Sequence, residues 1–69
     1  MTKYRCTQTY RGTVYYVTLL ADTEQQAREM ATVESKQKGY SLYGGSAWNV
    51  SVVEARASGP ARVLECGYQ

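Results

Sequence analysis

A single helix with both of its ends marked constrains this chain more than anything else in it. Thr23 to Gly39 reads TEQQAREMATVESKQKG. Thr23 can accept from the free N–H groups of the first turn, and Gln26 three residues on completes a capping box. Glu24 sits beside the positive end of the helix dipole, Lys36 and Lys38 beside the negative end, and Gly39 can take the left-handed conformation that closes a helix. Ala27, Met30, Ala31 and Ser35 form a narrow apolar stripe, small enough for close approach to a sheet, and Val33 falls off it. Glu24 with Arg28 and Glu34 with Lys38 are spaced for pairing one turn apart on a solvated face.

The segments on either side read as strands. Lys3 to Tyr10 and Val14 to Leu20 are rich in Tyr, Thr, Val and Leu, and Arg11-Gly12-Thr13 between them signals a hairpin. Alternation puts Tyr4, Cys6 and Gln8 of the first strand inside, with Tyr15, Val17 and Leu19 of the second. After the helix, Ala47 to Arg56 alternates Trp48, Val50 and Val52 against Asn49, Ser51 and Val53. Ser58-Gly59-Pro60 is a turn, and Arg62 to Tyr68 is a last strand with Leu64, Cys66 and Tyr68 on one face. The order β-β-α-β-β predicts a single α+β domain over residues 1–69, a two-layer sandwich with one helix on one face of a mainly antiparallel four-stranded sheet. The other face is expected to be open and polar, carrying Arg5, Thr7, Thr9, Tyr16, Thr18, Asn49, Ser51, Val53 and Glu65.

Length and composition narrow the function. At 69 residues there is one small core, and with no Phe but seven Tyr, several tyrosines must fill it. The absence of His removes imidazole catalysis and His-containing zinc sites. The carboxylates Glu24, Glu29, Glu34, Glu54 and Glu65 are spread over the helix and separate strands, not paired for acid and base work. Gly44-Gly45-Ser46 has no helix after it to make a phosphate cradle. No enzyme activity, metal or cofactor is expected. The formal charge of +2 is mild and argues against a dedicated nucleic-acid binder without excluding one. There is no apolar run of signal-peptide or membrane-spanning length, so a cytoplasmic location is expected, with Cys6 and Cys66 as reduced, buried thiols; the alternative is one disulfide between them that closes nearly the whole domain.

What remains is recognition of another macromolecule by a monomer or weak dimer. A protein partner fits scattered Arg and Tyr, and Tyr43, in a loop with no evident packing duty, is a contact candidate. The alternative is a small nucleic-acid-binding module that stacks single-stranded bases on a Tyr- and Arg-bearing sheet face.

The opening hairpin, the capped T-E-Q-Q-A-R-E-M-A helix, the Trp-containing strand and a closing strand ending E-C-G-Y-Q together resemble small phage-encoded anti-CRISPR proteins of the β-β-α-β kind. The resemblance covers the whole chain in outline. It implies immune evasion by a non-enzymatic inhibitor that binds a type I CRISPR surveillance complex in the host cytoplasm and blocks target DNA binding. It places the partner contact on Arg28, Lys36, Gln37, Lys38, Tyr40 and Tyr43.

Overall fold

A computed structural model describes Met1–Gln69. Strands β1 (Thr2–Tyr10) and β2 (Thr13–Ala21) form a hairpin, α1 (Glu24–Gln37) follows, and β3 (Asn49–Glu54) and β4 (Arg62–Tyr68) complete the chain. The expected α+β architecture is observed: one antiparallel four-stranded sheet in the order β3-β1-β2-β4, with a single helix packed on it. The first hairpin is thus the centre of the sheet, and the two later strands flank it as edges.

Local chemistry explains each boundary. Only Arg11 and Gly12 separate the first two strands, and both have positive φ, 52° and 81°, as a two-residue hairpin turn of the I′ type requires. At the start of α1, Thr23 accepts from the Gln26 N–H at 3.1 Å. The return bond differs from a regular capping box: Gln26 Oε1 accepts from the N–H of Asp22, at 2.6 Å, and not from that of Thr23. At the other end Gly39, with φ 82°, lets Tyr40 N–H reach the Ser35 carbonyl and its own N–H reach that of Lys36. Those two bonds form a Schellman closure.

The core lies between α1 and the sheet. Tyr4, Cys6, Val17, Leu19, Ala21, Ala27, Ala31 and Trp48 form one buried cluster, with Met30, Leu42, Val50, Val63 and Cys66 packed against it. Trp48 belongs to a 3-10 turn and its exit (Gly45–Ala47) and not to a strand, since β3 starts at Asn49. Its indole N–H donates to Thr32 Oγ1 at 3.1 Å, which ties this turn to the helix. Gln8, also buried, donates to the Tyr43 carbonyl and accepts from the Tyr43 N–H, so the loop after the helix is fastened to β1.

Three expectations are corrected. Both edge strands carry a bulge. On β4, Thr18 pairs with Glu65 but Leu19 with Val63, so Leu64 is the extra residue and Val63 takes the core-facing place expected of Leu64. On β3, Tyr4 pairs with Val52 but Lys3 with Glu54, which leaves Val53 outside the alternation. The face opposite the helix is also not uniformly open, because Thr18 and Leu20 on it are buried. They lie on a central strand, flanked by Arg5 and Glu65 and by Lys3 and Arg62, whose long side chains can cover them. Finally, of the two helix ion pairs only Arg28–Glu24 forms, at 2.8 Å. Glu34 and Lys38 remain unpaired.

The register also settles the cysteines. Cys6 and Cys66 both pair with Val17, from opposite sides, so two strand spacings, about 10 Å, separate them. A disulfide needs Cα atoms within roughly 7 Å. Both thiols are free, Cys6 fully buried and Cys66 partly so.

Candidate interaction site at the hairpin end

The helix begins beyond the end of β2 and runs back toward the first hairpin, so its C-terminus, the loop after it and the end of β4 gather there. Backbone bonds between Val14 and Gln69 bring the end of β4 to the same place. Parity then decides which side chains meet. Tyr10 shares its face with Tyr4, Cys6 and Gln8, and Tyr15 shares its face with Val17 and Leu19. Both therefore point to the helix side, close to where the helix stops. Loop tyrosines cover them instead.

Two aromatic clusters result. Tyr15 and Tyr40 have ring centroids 5.0 Å apart, and Tyr68 lies 5.7 Å from Tyr15 and 6.0 Å from Tyr40. Beside them, the rings of Tyr10 and Tyr43 meet edge to face at 5.0 Å, with the Arg11 guanidinium 5.5 Å over Tyr10. Tyr40 and Tyr43 belong to one short loop, so the clusters adjoin. Tyr43 and Tyr68 remain 57% and 63% exposed, which is large for aromatic rings in a domain this small. Five of the seven tyrosines, Tyr10, Tyr15, Tyr40, Tyr43 and Tyr68, thus converge on one end of the molecule.

The charges around them are mostly positive. Lys36, Gln37 and Lys38 are exposed on the last turn of the helix, and Arg11 stands at the hairpin tip. Glu34, one turn earlier, is the nearest acidic side chain on the helix. Partial burial among neighbouring rings raises the Tyr40 phenol above its ordinary pKa, and the nearby Cys66, Tyr68, Tyr15 and Tyr16 groups add to the effect. Burial raises Cys66 too, with Glu34 pushing it further up and Lys38 pulling it back. Tyr40 is therefore a neutral hydrogen-bonding group at physiological pH, and the surface is cationic and aromatic.

Of the residues that sequence reasoning singled out, Lys36, Gln37, Lys38, Tyr40 and Tyr43 lie together at this end. Arg28 does not. It sits about 12 Å up the helix from Lys36. Its guanidinium is held by Glu24 and donates to the carbonyls of Gly45 and Trp48. Arg28 pins the 3-10 turn to the helix. Tyr10, Arg11, Tyr15 and Tyr68 were missed as members of the site, although the strand parity of Tyr10 and Tyr15 was already visible in the sequence.

The opposite sheet face offers less. Its one aromatic ring, Tyr16, lies against Gly67, where an added Cβ would stand 2.7 Å from the phenol oxygen. The Arg5 guanidinium covers the ring at 4.6 Å. A stacking platform needs free ring faces, and here one ring serves the domain's own packing.

Comparison with protein-family models, with curated proteins and with solved structures found no match. No helix is long and apolar enough to cross a membrane.

Proposed function

We propose that this is a non-enzymatic binding domain that inhibits another protein by occupying its surface, with the tyrosine-rich hairpin end as the contact. One observation carries the reading: Tyr40, Tyr43 and Tyr68 stand with Arg11, Lys36 and Lys38 on a single rigid end. Tyrosine supplies large contact area at low entropy cost, and Arg and Lys select an acidic patch. The surface is built on a Schellman-closed helix, a tight turn and the Gln8-fastened loop, so little ordering is lost on binding.

The resemblance read from the sequence makes a type I CRISPR surveillance complex the first partner to test, with loss of target DNA binding as the inhibitory effect. The experiment mixes the protein with purified type I complexes and follows comigration and binding of target DNA. Retention of the protein with a complex, and weaker DNA binding, are expected. Absence of both across type I complexes of plausible hosts overturns this assignment. Lys36→Glu/Lys38→Glu should abolish comigration without unfolding the domain, because both side chains are exposed.

A further inference from the structure

A second surface lies along the outer edge of β3, an end strand of the sheet with no backbone of the fold on its far side. The two-residue turn makes Tyr10 and Thr13 a bonded pair. Alternate residues back along β1 therefore bond to β2, and those between them, Arg5 and Thr7, bond to Ser51 and Asn49. By the same alternation the N–H and C=O groups of Val50 and Val52 point outward. Val52 pairs with Tyr4 and so faces the helix side, yet it is 60% exposed, because α1 lies chiefly over β2. Edge strands are commonly guarded by charge or proline, and Asn49 to Val53 carries neither, whereas β4 carries Arg62 and Glu65. Only its short length and the bulge at Val53 guard β3.

We propose that the occupant of this edge is a second copy of the chain, its β3 paired antiparallel with the first about a two-fold axis through Ser51. In that register Val50 of each copy stands opposite Val52 of the other, and their outward groups make four backbone bonds. Opposed residues share a face, so four valines gather on the helix side and bury the exposed Val52. On the other face Ser51 meets Ser51 of the second copy. The sequence Val50-Ser51-Val52 reads the same in both directions, which makes the edge its own complement and opposes no charge to any other. Arg5, the cation beside Ser51, is drawn away over Tyr16 on β2. Three strand spacings, about 14 Å, separate the two Arg5 positions, beyond the ~8 Å screening length at physiological salt. So short a pairing buries less than the ~1,200 Å² of a standard interface, so the dimer is weak, with a dissociation constant of about 0.1–1 mM. The assembly closes at two copies, since the charged and bulged edge of β4 does not continue the sheet. Antiparallel pairing points the two tyrosine-bearing ends in opposite directions and leaves both uncovered.

The test is a concentration series of the isotopically labelled protein followed by NMR, with sedimentation equilibrium on the same samples. On approach to about 1 mM the mass should rise toward twice that of the monomer, with amide shifts centred on Val50 and Val52 and slowed exchange of those two amides. In a mixture of labelled and unlabelled protein, isotope-filtered spectra should show contacts between Val50 methyls of one copy and Val52 methyls of the other. Ser51→Glu should weaken association at least about tenfold, because the two carboxylates meet at the axis. Its urea midpoint, read at low concentration, should stay put, since Ser51 is exposed and its side chain makes only a long bond to the Arg5 carbonyl. Mixing Ser51→Glu with Ser51→Lys should restore the pairing. The proposal is overturned by a monomer mass throughout the series, or by shifts confined to β4 or to the tyrosine-bearing end. It is overturned equally by undiminished association of Ser51→Glu, or by a Glu/Lys mixture that stays monomeric.

Discussion

Trp48 ties together three parts of the molecule: its ring is buried in the core cluster, its indole N–H reaches Thr32, and its carbonyl accepts from Arg28. Trp48→Ala should therefore cost about 3–5 kcal/mol and leave so small a domain largely unfolded, which far-UV circular dichroism would show. Arg28→Ala removes the donor to the Gly45 and Trp48 carbonyls. A loss of roughly 1–3 kcal/mol in urea unfolding is expected, with contact at the hairpin end preserved in the fraction still folded. Cys6 shows how burial changes chemistry. Its thiol is pushed from 9.0 up to about 11, chiefly by burial, with Arg28 lowering and Glu24 raising it. Unfolded Cys6 ionises near pH 9 and folded Cys6 only near 11, so the associated stability is intact below pH 9 and is lost as pH rises toward 11. The urea midpoint should fall over that range by more in the native protein than in Cys6→Ala. A parallel fall in both would assign the loss to Cys66 and Tyr40, which burial also raises.

At the scale of elements, the first hairpin carries a residue whose conformation and side chain serve different ends. Arg11 holds φ 52°, a left-handed conformation unfavourable for most side chains, and its guanidinium lies over Tyr10 at the candidate site. Arg11→Asn suits the turn better and should raise stability by roughly 0.5–1 kcal/mol, read from thermal unfolding. The same change should weaken any acidic partner, since it removes a cation from the site. The edge strands were legible in position but not in register. Arg62–Tyr68 reads as a strand from its composition and is one, yet Leu64 and Val63 are equally apolar, and nothing local says that a bulge promotes Val63 to the core. The pairing with Leu19 decides it. Val53 presents the same problem on β3.

At the scale of the whole molecule, shape and charge are separable. The core occupies the middle of the helix and sheet, while the cationic, tyrosine-bearing end projects beyond the last helical turn. Reversing Lys36 and Lys38 together should change stability by no more than about 0.5 kcal/mol each in urea unfolding. Loss of partner binding in the same variant would separate recognition from folding, and unfolding by it would end the assignment of this end as a free surface.

The sequence by itself determined the helix, its two caps, the strand count and most of the core, because caps, period-two alternation and small helix residues act between near neighbours in the chain. It also marked Tyr43 as available, since nothing local employs it, and placed Lys36, Lys38 and Tyr40 beside it at the closed end of the helix. Only the tertiary structure decided that Arg28 is spent on the 3-10 turn, that Tyr10, Tyr15 and Tyr68 join the loop tyrosines, and that β4 ends up as an edge. Each of these depends on which distant residues the chain brings alongside, through a β3-β1-β2-β4 order and two bulges. Those are set by the joint packing of both faces of the sheet, and no local pattern encodes it.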